Sequence, residues 1–306
     1  MMLVSLIVPS FNEADDIADT IESVLAIDYP EKEIIVVDDS TDETVHIVKR
    51  YAEKYGFKLL RQAVRRGLNG AYNLGIKAAQ GEIVVLLTAD NRPSPDFIQK
   101  ILPHFESGAD YLVIGSRISN AESLFARLLQ AMQDYKYRQP KSNDQLWSEG
   151  FSAKRQALID VNLLPEHYAI YGGTDNLLSE RLRDGGFVKK VDLNIIMPHV
   201  APSRFWEFWQ QQVGRGLAGP QYNYSVNGQS FVLISAKVFS KVFIYFMMVV
   251  TVFPMLFCSI RYSRYSKHGW KDWVLFDWVL NVLYLARAVG EWRGWKEVLK
   301  RKLGRK

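Results

Sequence analysis

The chain carries a single cysteine, Cys258, among 306 residues. A disulfide within the chain is therefore excluded, and a lone thiol suits a reducing compartment. There is no internal repeat and no low-complexity stretch. Met1 to Pro9 lacks a basic stretch and its apolar run is short, so it is expected to be a first strand and not a leader. No glycine-rich, lysine-bearing phosphate loop follows that strand, which counts against a nucleotidyltransferase. The charge is only mildly unbalanced, at +5, with a pI of about 9.1. Acidic residues gather in the first half and basic ones at the end, so no single basic groove forms and nucleic acid is not the expected partner. An anionic ligand or an anionic membrane fits the balance better. What the chain does have is apolar content, 48 %, enough for one large domain with an appendage or for two domains.

Strand-like runs alternate with helical ones. Leu3 to Val8 stops at Pro9, and a helix carrying Ile17, Ile21, Val24 and Leu25 follows. Glu33 to Val37 ends in Asp38-Asp39-Ser40-Thr41-Asp42, ahead of a helix running to about Tyr55. Phe57 to Leu60 is a short strand, and Ala71 to Ala79 a helix. Ile83 to Leu87 is an unbroken apolar run, as in a strand buried on both faces. It ends at Thr88-Ala89-Asp90-Asn91, with Pro93 and Pro95 beyond. This alternation predicts an α/β fold with a mostly parallel, doubly wound sheet. Asp110 to Ser116 and Val188 to Met197 read as later strands. Glu122 to Arg138 and Asn176 to Arg183 read as helices.

Asp38-Asp39, Asp90 and Asp175 fall at strand ends or in the loop expected to face them. In a parallel sheet the carboxyl ends converge on one crevice. Carboxylates gathered there repel unless a cation or a proton sits among them, and a hard divalent ion would also take phosphate oxygens. Each has a plainer reading. Asp90 could cap the next helix, Asp38-Asp39 could be turn chemistry, and Asp175 could be an N-cap.

Val8-Pro9-Ser10-Phe11-Asn12-Glu13, Val36 to Asp42 and Gly81 to Pro95 together resemble family 2 glycosyltransferases, inverting enzymes of the GT-A fold, over about residues 1 to 220. The resemblance implies a nucleotide-sugar donor, UDP- or GDP-linked, a Mg2+ or Mn2+ ion, and an acceptor that attacks the anomeric carbon. It implies that Pro9, Phe11 and Glu13 line the nucleoside site, that Asp38 or Asp39 bonds the base, and that Arg66 and Asn73 flank the nucleotide. The family's Asp-x-Asp is Thr88-Ala89-Asp90 here. Asp90 takes the position that meets metal and diphosphate, Thr88 is left to bond the ribose, and His199 matches a position that can add a metal ligand. Counting back six residues from Arg181-Leu182 gives Asp175 as general base, with Thr174 in place of the usual glutamate. Gln211-Gln212-Val213-Gly214-Arg215-Gly216 resembles the family's Gln-x-x-Arg-Trp region, which would set Arg215 against the leaving diphosphate. Ser148-Glu149-Gly150-Phe151 resembles the acceptor-side loop. The missing first carboxylate keeps open an alternative, a sugar-nucleotide-binding scaffold that has lost turnover.

Two domains are expected, a catalytic one over residues 1–225 and a helical region with a basic tail over 226–306. Val242 to Ile260 holds no charge and is just long enough to span a bilayer. Trp273 to Val289 is a second apolar segment, interrupted by Asp277 and Arg287. The loop between them carries Arg261, Arg264, Lys267 and Lys271. Three arrangements stay open: a transmembrane hairpin, helices lying in the interface, and a soluble helical cap or homo-oligomer contact. Work on a sugar nucleotide implies the cytoplasmic face of the cell membrane, and a membrane site favours a lipid-linked or polysaccharide acceptor.

Overall fold

The computed structural model describes residues 1–139, 149–164, 166, 174–251 and 253–304, with 174–176 and 253–254 described at the backbone only. Ser148 and the loop at 171–173 lie outside these. The chain divides into two compact units. The first comprises Met1–Arg117, Asn143–Ala169 and Thr174–Val200, and the second Ile118–Ser142, Ile170–Gly173 and Ala201–Lys306.

The first unit is built on a sheet of β1 (Val4–Ser10), β2 (Lys32–Asp38), β3 (Lys58–Leu60), β4 (Ile83–Leu86), β5 (Tyr111–Ile118), β6 (Phe151–Lys154) and β7 (Lys189–His199). Their spatial order is β3-β2-β1-β4-β6-β5-β7. β1 pairs in parallel with β2 and β4, and β2 with β3. β6 runs antiparallel to β4 and to β5. The mostly parallel sheet expected is present, with one reversed strand where the sequence shows only Phe151-Ser152-Ala153-Lys154.

Both faces of the sheet are covered, which is why its central strands read as continuous apolar runs. On one face Leu6, Val8, Val36 and Val85 meet α1 (Ile17–Leu25), α2 (Thr44–Tyr55) and α4 (Phe97–Glu106) through Ile21, Val48 and Ile101. On the other, Ile7, Ile35, Val37 and Val84 meet α3 (Gly67–Ala78), α6 (Arg155–Asp160) and α7 (Thr174–Asp184) through Ile76, Leu158 and Leu182. Each such side chain taken fully out of water contributes about 1.5–3 kcal/mol. Gly75 lets α3 lie close on β1, since a Cβ there would stand 2.5 Å from Ile7 Cγ2.

The second unit is helical: α5 (Leu124–Tyr137), α8 (Phe205–Ser225), α9 (Phe231–Thr251), α10 (Phe253–Ser263), a 3-10 turn (Gly269–Asp272) and α11 (Trp273–Lys302). Its core joins Phe125, Leu128, Phe208, Met255, Phe276 and Leu280. α8 and α11 pack backbone to backbone. A Cβ on Gly290 would collide with Val213 O, and one on Gly294 would stand 2.5 Å from Leu217 O. This contact puts α8, which the sequence grouped with the first 225 residues, among the C-terminal helices. Arg127 reaches both Asp272 oxygens, at 2.7 and 2.9 Å, with both side chains nearly dry. The uncharged run 242–260 falls in α9 and α10, on either side of residue 252, which lies outside the described residues. Two stretches, Phe231–Thr251 and Gly269–Lys302, are long and apolar enough to cross a membrane.

Candidate active site

β1, β2 and β4 end side by side. Ser10 is in register with Asp38, and Ile7 with Leu86. The ladder runs one step further through Asp39 N–H to Ser10 O at 3.1 Å and Leu87 N–H to Ile7 O at 3.0 Å. The chain after β1 (Phe11 to Glu13), the chain after β2 (Asp39 to Asp42) and the chain after β4 (Thr88 to Asn91) therefore leave the sheet from one edge, where open α/β sheets bind ligands.

The first two of these loops are tied together. Asn12, at φ 57°, accepts from Thr41 N–H at 2.9 Å and donates its own N–H to Ser40 Oγ at 2.8 Å. The left-handed backbone that Asn tolerates is what turns Glu13 back over the edge. Glu13 N–H bonds Thr44 Oγ1 at 2.9 Å.

Asp38 is buried and accepts from Ser10 Oγ at 2.7 Å and Ser40 Oγ at 2.6 Å, so it braces β1 to the loop after β2. Asp39 accepts from Gln62 N–H at 2.9 Å and from the Gln62 side-chain amide. Gln62, which sequence reasoning missed, sits two residues past β3. Pro9 is buried within β1. Phe11 is 36 % exposed, and the Arg65 guanidinium lies over its ring at 3.2 Å, a cation–π contact. The neighbouring Arg66 turns away to pair with Glu166. Asn73 is buried, with its amide donating to Leu164 O at 2.7 Å and to Glu166 at 3.0 Å and its oxygen accepting Leu164 N–H at 3.0 Å. Arg66 and Asn73, expected to flank the nucleotide, are thus bonded to Leu164 and Glu166.

Thr88 and Asp90 form a closed turn. Thr88 Oγ1 donates to an Asp90 oxygen, and Thr88 N–H bonds Asn91 Oδ1 at 3.0 Å. The hydroxyl that stands where the family has a carboxylate thus orients the carboxylate that remains. The end of β7 runs beside this turn. Val200 N–H bonds Asp90 O at 3.1 Å, Arg92 N–H bonds Pro198 O at 2.8 Å, and Asn91 bridges His199. His199 is thereby brought next to Asp90. Its ring is fixed by Ser116 Oγ, 2.9 Å from Nδ1.

The edge is rich in negative charge. Glu13 is pushed up to about 7, first by burial and then by Asp90, Asp16 and Asp42. Burial raises Asp16 as well, although Arg92 stands 3.1 Å away. Among the described residues no three His, Cys, Asp or Glu side chains form a metal-holding group by themselves. Asp90 and His199 could supply two ligands, and a cation there would need further oxygens, as a diphosphate has. The surplus charge around Glu13 fits such a cation.

Asp175 lies in the first turn of α7; its side chain is outside the described residues. α7 itself is well anchored. Leu178 and Leu182 are buried under the sheet, and Arg181 donates to Leu163 O at 2.9 Å. Arg215 lies on the exposed side of α8, in the second unit.

Residues 5–167, just over half of the chain, match the profile described as glycosyl transferase family 2. The chain belongs to that family. Among its relatives, the poly-beta-1,6-N-acetyl-D-glucosamine synthase of Staphylococcus epidermidis is 34 % identical over 128 residues, which is 41 % of this chain and 31 % of that protein. The dolichol-phosphate mannosyltransferase of Pyrococcus furiosus is 34 % identical over 118 residues, 38 % of this chain and 33 % of that one. The chain thus matches about a third of the length of these curated relatives. The mannosyltransferase PcManGT of Pyrobaculum calidifontis, solved with GDP-Man and Mn2+, superposes with a TM-score of 0.60 at 22 % identity, covering 75 % of this chain and 65 % of that one. Residues 1–349 of S. aureus TarS, solved with UDP-GlcNAc, give 0.54 at 16 % identity over 99 % of this chain and 93 % of that one. What these structures share with this family 2 member is the GT-A fold.

Proposed function

We propose that the protein is an inverting glycosyltransferase that moves a sugar from a UDP- or GDP-linked donor to a lipid-linked or polysaccharide acceptor at the cytoplasmic face of the cell membrane. The observation that carries this reading is the meeting of Asp90 and His199 at the edge where β1, β2 and β4 end. The relatives named above, with their GDP-Man, UDP-GlcNAc and glycan or lipid-phosphate chemistries, favour such a donor and acceptor.

In this reading the Phe11 ring and Pro9 form the apolar side of the nucleoside site, with Arg65 closing over it. Asp39, held by Gln62, is the carboxylate nearest the base, and Asp38 holds the two loops in place behind it. Thr88 keeps the Asp90 carboxylate turned toward the diphosphate. Asp90 and, through Nε2, His199 would hold Mg2+ or Mn2+ with the diphosphate oxygens, and the bound ion would supply charge neutralisation for the leaving group. Asp175 takes the proton of the acceptor hydroxyl as its oxygen attacks the anomeric carbon. The new C–O bond forms on the face opposite the breaking bond to the diphosphate, and the configuration inverts. The family motif gives Arg215 the part of neutralising the departing diphosphate.

The test is nucleoside diphosphate release from candidate donors with Mn2+ or Mg2+. Asp175→Asn is expected to lower turnover at least a thousandfold while donor affinity changes less than threefold. Equal loss of both would remove Asp175 from the base role. No turnover with any donor, alongside intact donor binding, would favour the scaffold that the Thr88 substitution suggests.

A further inference from the structure

The Asp90 carboxylate is only as well placed as the backbone that carries it. Peptide units are planar, so the direction of the Asp90 Cα–Cβ bond follows from the peptide before it and the peptide after it. The peptide after Asp90 is held from the end of β7, by Val200 N–H on Asp90 O at 3.1 Å. The peptide before it is held from α1, where Thr20 Oγ1 donates to Ala89 O. With both planes fixed, only the side-chain torsions of Asp90 are left, and Thr88 Oγ1 bonds the carboxylate itself.

Thr20 is fully buried, and its hydroxyl has one hydrogen to give. Two carbonyl oxygens compete for it, since Asp16 O lies 3.3 Å away in the preceding turn. Arg92 bears on that choice, because its guanidinium donates to Thr20 Oγ1. A guanidinium only donates, so it takes a lone pair of Thr20 and leaves the hydrogen for Ala89 O, the nearer acceptor. Arg92 is itself fixed on several sides. It donates to Asp16 O at 3.2 Å, to Asp16 Oδ1 at 3.1 Å and to Asn91 O at 3.1 Å. Its backbone N–H bonds Pro198 O at 2.8 Å. Only 17 % of its side chain is exposed, and the rigid fork of an arginine can serve this many acceptors where a lysine cannot. The ion pair with Asp16 alone would fasten α1 to the turn. The branch through Thr20 reaches the one peptide that sets Asp90.

We propose that Thr20 and Arg92 are positioning residues for the Asp90 carboxylate: Arg92 donates to Thr20, Thr20 donates to Ala89 O, and the peptide entering Asp90 is held in the plane that aims its side chain. This rests on the Asp90 role proposed above. The experiment titrates the full chain with UDP and with GDP in the presence of Mn2+, read by calorimetry. Thr20→Val keeps the shape and removes the hydroxyl, and is expected to weaken binding about tenfold. Thr20→Ser restores the hydroxyl and is expected to recover most of that loss. Arg92→Met is expected to weaken binding in the same direction, and it carries the test if a thermal melt shows that Thr20→Val does not fold. Val24, also buried on α1, lies one turn further on, and Val24→Ala is expected to lower the melting temperature with affinity unchanged. Asp90→Asn is run alongside and is expected to weaken binding. If it does so while Thr20→Val and Arg92→Met bind as tightly as the unaltered chain, the positioning role alone is overturned. The same holds if Thr20→Ser is no better than Thr20→Val, or if Val24→Ala weakens binding as much. Asp90→Asn binding as tightly as the unaltered chain, or no binding by the unaltered chain, would overturn the Asp90 role and this inference with it.

Discussion

Glu13 holds its proton to about pH 7 because Asp90, Asp16 and Asp42 surround a largely buried carboxyl. A carboxyl whose folded pKa lies above its unfolded value near 4.5 adds stability that is full below pH 4.5 and lost as pH rises through 7. Glu13→Gln is therefore expected to stabilise the protein by about 1–3 kcal/mol at pH 8 and to change little at pH 4.5, measured by urea unfolding at both pH values. Thr88→Asp tests the neighbouring turn. It replaces the hydroxyl that donates to Asp90 by a second carboxylate, so the melting temperature is expected to fall without metal and to recover with millimolar Mn2+. No difference between the two conditions would mean that no cation binds there. At this scale the sequence was readable in position: Glu13 follows the end of β1, and the chain at Asp90 meets the end of β7 at His199. It was not readable where a side chain's partner lies far along the chain. The bonds of Arg66 and Asn73 to Glu166 and Leu164 have no signal near them in the chain, and neither do the contacts of Gln62 and Arg65.

Among the elements, α11 bears the heaviest constraints. Its crossing with α8 depends on Gly290 and Gly294, and on Gly216 of α8, where a methyl would collide with backbone, and backbone cannot give way as a flexible side chain can. Gly290→Val is expected to cost about 2–4 kcal/mol and to lower the melting temperature of the second unit. The salt bridge at its start makes a second prediction. Arg127→Met leaves Asp272 buried without its partner and is expected to cost about 3–5 kcal/mol, whereas adding Asp272→Leu should recover most of that; urea unfolding of both variants checks it. The strands β1, β2 and β4 and the helices between them were legible because apolar runs buried on both faces and amphipathic helices leave distinct periods. β6 was not, since four residues pressed between β4 and β5 have no room to show a period.

For the molecule as a whole, a ligand that binds only the folded state raises its stability by about 2.7 kcal/mol at a hundred times its dissociation constant. A UDP- or GDP-linked sugar is expected to raise the melting temperature of the intact chain in the presence of Mn2+ and to lose that effect in chelator. An equal shift with and without chelator would argue for donor binding independent of metal. The fold class could be read from the order of elements, but the affiliation of α8 could not, because it follows from glycines that meet only in three dimensions. The bonding of β7's end to the turn at Asp90 has a consequence for biosynthesis. Asp90 leaves the ribosome long before His199, and loop closure over such a separation is slow. If the donor binds at this edge, as proposed, its site is finished late, after β1, β2 and β4 have had time to associate, so a nascent chain stopped before residue 189 should already hold these strands yet be unable to retain a sugar nucleotide.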